Sequence, residues 1–167
     1  MNKKTIIIFL FIVFGLFGFM IWGQSIQASK SDQSQSDVGG KTSLVSSEML
    51  YDFGEISMKD GLVSHVFKVT NPTNADVFIK DVNTSCMCTE AYIESVSGEK
   101  GPFGMPGMGY VPPADETIKA GEIRDIKVVY DPNAHGPAGV GTIDRFIYLI
   151  GANKETLSLE IKAVVTP

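Results

Sequence analysis

Apolar and polar residues alternate through most of this 167-residue chain after residue 47. Between Leu62 and Thr70, for instance, Val63, His65, Phe67 and Val69 share one face. A period of two, with turn residues between the runs, is typical of half-buried antiparallel strands. The other runs that predict strands are Tyr51 to Ile56, Asp76 to Val82, Ala91 to Glu94, Ile123 to Tyr130, Ile143 to Ile150 and Leu157 to Val165. About seven short strands predict an all-β, immunoglobulin-like two-sheet sandwich.

The N-terminal pattern is different, since Thr5 to Trp22 is an apolar segment of 18 residues without a charge. As a helix it would extend about 27 Å, close to the ~30 Å thickness of a bilayer core. Lys3 and Lys4 precede it, which favours a cytoplasmic N terminus. We therefore predict a single-pass membrane anchor with the C-terminal domain outside the cytoplasm, periplasmic or extracellular. A cleaved signal peptide is the alternative, although Ile26 is large for a cleavage site after Ala28.

A segment rich in Ser and Gln follows the apolar stretch and cannot bury enough surface to fold alone. The sequence thus predicts three parts: residues 1–23 as anchor or signal, 24–47 as a flexible linker and 48–167 as one sandwich domain. Without the two lysines that precede the apolar segment, 12 basic and 19 acidic residues remain, a net charge of −7. This acidic balance argues against a nucleic-acid partner. The predicted partners are the membrane, through residues 5–22, and an envelope protein that the sequence does not identify.

The two cysteines of the chain, Cys86 and Cys88, are one residue apart near the end of a predicted strand. In an extended strand their Cα atoms would lie about 6–7 Å apart with nearly parallel Cα–Cβ bonds, which does not suit a disulfide. Three interpretations remain open: a metal-binding pair, a redox pair in a turn, or two small buried apolar residues. Met87 would then point to the opposite face, where packing in the core is expected.

Further soft or borderline ligands could approach this pair. If Ala91 to Glu94 is a strand, the connection that carries His135 lies at the same end of the sandwich as the cysteines. His65, near the start of its strand, would lie at that end too. Met105 and Met108 stand in a Gly/Pro-rich loop. Thiolates and thioethers select Cu(I), with Zn²⁺ as the second choice, so the candidate metal ligands are Cys86, Cys88, His135, Met105, Met108 and His65.

Several short motifs occur in a fixed order and together resemble a known family. They are Tyr51-Asp52-Phe53-Gly54-Glu55-Ile56, His65-Val66-Phe67-Lys68-Val69-Thr70-Asn71, Ser85-Cys86-Met87-Cys88-Thr89, Ala120-Gly121-Glu122 and a final Leu-x-Ile strand. This order resembles the bacterial family catalogued as domain of unknown function 1573, over about Leu50 to Val165. The resemblance implies an exported, immunoglobulin-like sandwich related to the ASPM/SPD-2/hydin modules, and no established activity. Two features depart from the family pattern: Met87 replaces the usual glycine between the cysteines, and Ser97 to Asp115 forms an insert.

Enzymatic chemistry has little support in this sequence. The glycine-rich stretch at 136–141 lacks the Gly-Lys-Ser/Thr of a phosphate-binding loop. No Gly-x-Ser-x-Gly motif occurs, and the acidic residues do not have the spacing of a Ca²⁺ loop. We therefore expect a non-enzymatic module without a small-molecule substrate. It either binds a soft metal ion or is an envelope interaction domain with structural cysteines; a thiol redox protein is the third option.

Overall fold

The computed structural model describes residues 40–95 and 98–167. Eleven strands occur in these residues: β1 (Gly40–Lys41), β2 (Val45–Ser46), β3 (Leu50–Ser57), β4 (Val63–Thr70), β5 (Val77–Thr84), β6 (Thr89–Ser95), β7 (Gly98–Phe103), β8 (Glu116–Ile118), β9 (Ile123–Tyr130), β10 (Gly141–Gly151) and β11 (Glu155–Thr166). Two single turns of 3₁₀ helix, Met58–Asp60 and Gly136–Gly139, lie in the connections that precede β4 and β10.

The strands form two sheets. One has the order β1-β11-β10-β5-β8, with β3 pairing to β11 in parallel, and the other has the order β2-β4-β9-β6-β7. The all-β two-sheet sandwich predicted from the alternating pattern is therefore confirmed, and each of the seven predicted runs lies in a strand, with at most its first residue outside. The strand count is higher than about seven because β1, β2, β7 and β8 are short or irregular additions that periodicity does not reveal.

The core lies between the two sheets and is built from the predicted inward-facing positions. Phe67, Ile126 and Val128 of one sheet are fully buried, as are Leu159 and Ile161 of the other. Burial of such side chains contributes roughly 1.5–3 kcal/mol each relative to exposure, which makes the apolar alternation the main determinant of the fold.

The ordered domain begins earlier than the predicted boundary at residue 48. Leu44 is 2% exposed, and β1 and β2 add to the two sheets. Two apolar residues among serines, Leu44 and Val45, were too weak a signal to separate this segment from the linker. The predicted anchor, residues 5–22, lies outside the described residues. Within 40–95 and 98–167, no helix is long and apolar enough to cross a membrane.

The sheet order brings two connections together at one end of the sandwich, here called the cysteine pole. These are the cysteine turn, residues 85–88 between β5 and β6, and the residue 131–140 connection between β9 and β10. Thr89 and Val63 both pair with Tyr130, so β6 begins, β9 ends and β4 begins at this pole. An up-and-down order would require consecutive strands to be neighbours in a sheet. Here some consecutive strands, such as β5 and β6, lie in different sheets. The poles are nevertheless as predicted, because each of these connections reverses the chain direction.

Candidate functional site: a cysteine turn beside a histidine and a methionine groove

The cysteine turn is fixed by hydrogen bonds that end the preceding strand. Thr89 N donates to Cys86 O at 3.1 Å, and the hydroxyl of Thr84 lies 3.0 Å from the carbonyl oxygens of both Cys86 and Thr89. Both threonines are buried. On the other side, Phe146 N donates to Ser85 Oγ at 2.9 Å. Hydrogen bonds to Thr84 at the end of β5 and to Phe146 of β10 therefore fix the position of the turn.

Cys86 and Cys88 form a disulfide in this turn. The expectation that the pair does not suit a disulfide is wrong, because it assumed an extended strand. Their Cα atoms lie 5.2 Å apart, closer than two positions along a strand, since the chain turns here. Cys88 N also donates to Cys86 Sγ at 3.3 Å. Cys88 is 2% exposed, whereas Cys86 is only partly buried, so one sulfur of the pair is accessible.

His135 is next to the accessible sulfur. Its Nε2 lies 3.2 Å from Cys86 Sγ. The three ligand atoms of Cys86, Cys88 and His135, here called the thiol site, all lie within 4.8 Å of one another. The predicted approach of His135 to the cysteines thus occurs in the structure.

The connection that carries His135 is itself tied to the cysteine turn. Asp131 N donates to Cys88 O at 2.9 Å, and the side chain of Asp131 accepts from Asn133 N at 2.8 Å. The amide of Asn133 donates to Met58 O at 2.8 Å. Gly139 packs so closely that an added Cβ would meet Pro132 O at 3.3 Å. These contacts hold an exposed histidine on irregular backbone next to the disulfide.

Arg145 is a further site residue, which the sequence did not single out. Its Nε donates to Cys88 Sγ at 3.3 Å. A guanidinium this close to the sulfur would stabilise a thiolate once the disulfide is reduced. One feature of the sequence could have indicated Arg145, because it is a charged residue within the mostly apolar run of β10. Periodicity alone shows only that this residue interrupts the run.

His65 does not join the thiol site. Its ring is stacked on Tyr51 with 3.6 Å between centroids, and Phe67 contacts it edge-on at 4.8 Å. Its Nε2 lies 2.8 Å from Glu48 Oε2. The Nε2 atom and a ring face of His65 are thus engaged near the start of β4, and β4 is separated from β6 by β9.

The methionines lie on another side of the cysteine turn. Met87, Met105 and Met108 line one groove, here called the methionine groove, whose other walls include Glu90 and Tyr110. Met87 is 50% exposed, so the expectation that it packs in the core is wrong. The turn explains this, because the residue between the two bridged cysteines faces away from the sandwich. The predicted ligand set is thus divided: Cys86, Cys88 and His135 meet, while Met105 and Met108 gather around Met87.

The thiol site has two chemical states. When oxidised, the sulfurs are bonded to each other and do not ligate a metal as thiolates. When reduced, two thiolates and one imidazole could hold a soft or borderline cation, and Arg145 would offset their charge. The fold and site together define an all-β sandwich domain that carries a Cys-x-Cys disulfide at a histidine-bearing pole.

Residues 44–104 match the model of a family described as protein of unknown function (DUF1573). The resemblance inferred from the sequence motifs is therefore confirmed over these residues, which include the cysteine turn. No curated protein matches the chain.

One solved structure shares the fold. A protein of unknown function from Porphyromonas gingivalis W83 superposes with a TM-score of 0.52 at 15% identity, over 72% of this chain and 46% of that chain. This chain therefore spans less than half of that protein. The ASH/PapD-like domain 7 of human CEP192 gives a TM-score of 0.46 at 13% identity, over 84% of this chain and 97% of that domain. At such identity the Porphyromonas likeness shows a common fold alone.

Proposed function

We propose that this protein is a membrane-tethered, non-enzymatic module outside the cytoplasm that binds Cu(I) through Cys86, Cys88 and His135 when the cysteine pair is reduced. The observation that carries the proposal is the convergence of the two Sγ atoms and His135 Nε2 within 4.8 Å. Thiolate and imidazole ligands from two separate connections meet there, and soft thiolates favour Cu(I) over harder cations. Zn²⁺ is the second candidate, because it accepts the same ligand types.

The disulfide has little value as a structural staple. It closes a loop of only three residues, Cys86 to Cys88, so loop-closure entropy gives it about 1.5 kcal/mol of stabilisation. Disulfides that join distant segments gain considerably more in the same treatment. A weakly stabilising disulfide next to an exposed histidine and a partly buried arginine contact supports a pair that is both reduced and oxidised in use.

Anaerobic titration with Cu(I) against a competing chromophoric chelator tests this function. The reduced full-length protein should take up Cu(I) at the thiol site, and the Cys86→Ser/Cys88→Ser variant should bind there at least about a hundredfold more weakly, since a hydroxyl is a poor soft-metal ligand. Metal should also raise the melting temperature of the reduced wild type, because only the folded chain arranges the ligands. Equal binding and equal melting of both proteins would refute the metal function.

A second candidate function is thiol–disulfide exchange. The contact between Arg145 and Cys88 favours it, because a nearby cation increases the thiolate fraction on which exchange depends. One thiolate of a partner dithiol would attack the Cys86–Cys88 disulfide, form a mixed disulfide and release one thiolate of the pair. The partner's second thiolate would then displace the other cysteine, which leaves the partner oxidised to a disulfide and the pair reduced. Oxidation of about one equivalent of a dithiol substrate per chain by the purified disulfide form would favour this candidate over metal binding. Without exchange or metal binding, the remaining interpretation is an envelope interaction domain with structural cysteines.

The tether is a separate part of the proposal and has a separate test. The apolar segment Thr5 to Trp22 supports it, together with the poor cleavage site that follows. Sequencing the N terminus of the mature protein from membranes should find the segment retained. A mature terminus between Ser25 and Ser29 would show cleavage and leave export intact.

A further inference from the structure

Exposed methionines are unusual, and two of the three in the methionine groove are largely in solvent. Met87 is 50% exposed and Met108 is 58% exposed, while Met105 is partly buried. Methionine is among the residues most often found inside proteins, and exposing its side chain forgoes the free energy of burial. Packing in the core therefore does not account for these side chains.

The chain holds two of these methionines close together through one turn. Met108 N donates to Met105 O at 3.2 Å, and Gly107 has φ of +87°. With Pro106 in the second position and a positive-φ glycine in the third, residues 105–108 form a type II turn, whose first and last Cα atoms lie within about 7 Å. The two thioether side chains thus start from neighbouring backbone positions.

The type II turn at residues 105–108 lies next to the cysteine turn, which carries the third methionine, Met87. Gly104 O accepts a hydrogen bond from Thr84 N at 3.1 Å. Phe103, just before the turn, is 1% exposed and its strand pairs with β6. Met87, in the cysteine turn, lines the same groove. Two independent segments therefore bring three thioethers to one accessible place.

We propose that Met87, Met105 and Met108 form a second Cu(I) site, one that operates while Cys86 and Cys88 are bonded as a disulfide. Neutral thioethers are soft ligands and select Cu(I). They carry no proton to lose and cannot pair into disulfides, so an oxidising compartment that closes the thiol site leaves them available. Glu90 in the groove wall adds a negative charge that favours a cation. Binding moves one ion and changes no oxidation state.

This inference does not depend on the proposed thiol function, because its site is complete when the thiols are absent. The test uses the full-length protein purified without thiol reductants, with the disulfide verified by resistance to alkylation. Cu(I) is titrated anaerobically against a chromophoric chelator. The oxidised wild type should bind one equivalent, and the Met105→Leu/Met108→Leu variant should bind at least about tenfold more weakly, since loss of ligands should exceed the effect of losing their outer-shell partners.

Met49→Leu serves as the matched control. Met49 is also exposed, at 37%, but precedes β3 and is not part of the groove wall. Leucine conserves the volume of methionine, so all variants should melt like the wild type. X-ray absorption of the copper-loaded oxidised protein should show a sulfur shell without imidazole. Absence of Cu(I) binding by the oxidised wild type, or equal binding by the double variant, would overturn the proposal. If only reduced protein binds Cu(I), the thiol site stands and this inference fails.

Discussion

The thiol site and the methionine groove lie on two sides of one short turn, yet they differ in nearly every chemical respect. Cys88 is buried and bonded, whereas Met87, the residue before it, is half exposed. Thiolates are charged, bind strongly and are lost on oxidation to a disulfide, while thioethers are neutral, bind more weakly and do not form disulfides. The contrast teaches that a Cys-x-Cys turn can present two kinds of soft ligand in opposite directions, with the thiol state deciding which are available.

The largest expected effect on Cu(I) binding comes from replacing the cysteines. This change tests directly whether the thiol site and the methionine groove bind copper separately. The Cys86→Ser/Cys88→Ser variant should lose the tighter of the two Cu(I) equivalents expected for the reduced wild type, a loss of at least about a hundredfold in affinity. It should keep the weaker equivalent, because the methionine groove remains. Loss of both equivalents would mean that the two groups are one site.

The disulfide should contribute modestly to folding. Urea denaturation of the Cys86→Ser/Cys88→Ser variant against the oxidised wild type should show a loss of about 1.5 kcal/mol, as expected for a three-residue loop. Reduction of the wild type should have a similar effect. A loss of about 4 kcal/mol or more, in the upper part of the range for natural disulfides, would favour structural cysteines instead.

The two histidines of the chain form a matched pair for testing the ligand set. His135→Ala should weaken Cu(I) binding by the reduced protein by about tenfold, while leaving binding by the oxidised protein unchanged. His65→Ala should leave both unchanged, since His65 is stacked on Tyr51 and paired with Glu48. Because that substitution removes packing, thermal melts should accompany the titration. Equal weakening by both substitutions would remove His135 from the site.

The smallest effect concerns Arg145. Arg145→Gln keeps a polar side chain but removes the charge next to Cys88 Sγ, so alkylation of the reduced protein should slow by a few-fold as the thiolate loses its neighbour. Copper binding in the methionine groove should not respond. An unchanged alkylation rate would show that the contact has no electrostatic role.

The sequence was sufficient for the sandwich because the strand period is strict. In β4, β9 and β11 every second residue is buried or half-buried, and the positions expected to face inward include the buried Phe67, Ile126 and Leu159. The approach of His135 to the cysteine turn also followed from strand direction alone.

The remaining features of the site depend on backbone geometry, which the pattern of apolar and polar residues does not reveal. The disulfide needed the turn at 85–88, which an extended-strand assumption excluded. The exposure of Met87 follows from that same turn. The separation of Met105 and Met108 from the cysteines depends on the path of the insert. Its first part, β7, pairs with β6, and the two methionines follow β7.

Copper stoichiometry of the same full-length protein in two thiol states tests the central claim most directly. Anaerobic equilibrium with excess Cu(I), followed by removal of unbound metal and quantification of copper per chain, should give two equivalents for the reduced protein and one for the oxidised protein. The difference reports the thiol site, and the remaining equivalent reports the methionine groove. The same copper content in both thiol states would contradict the account.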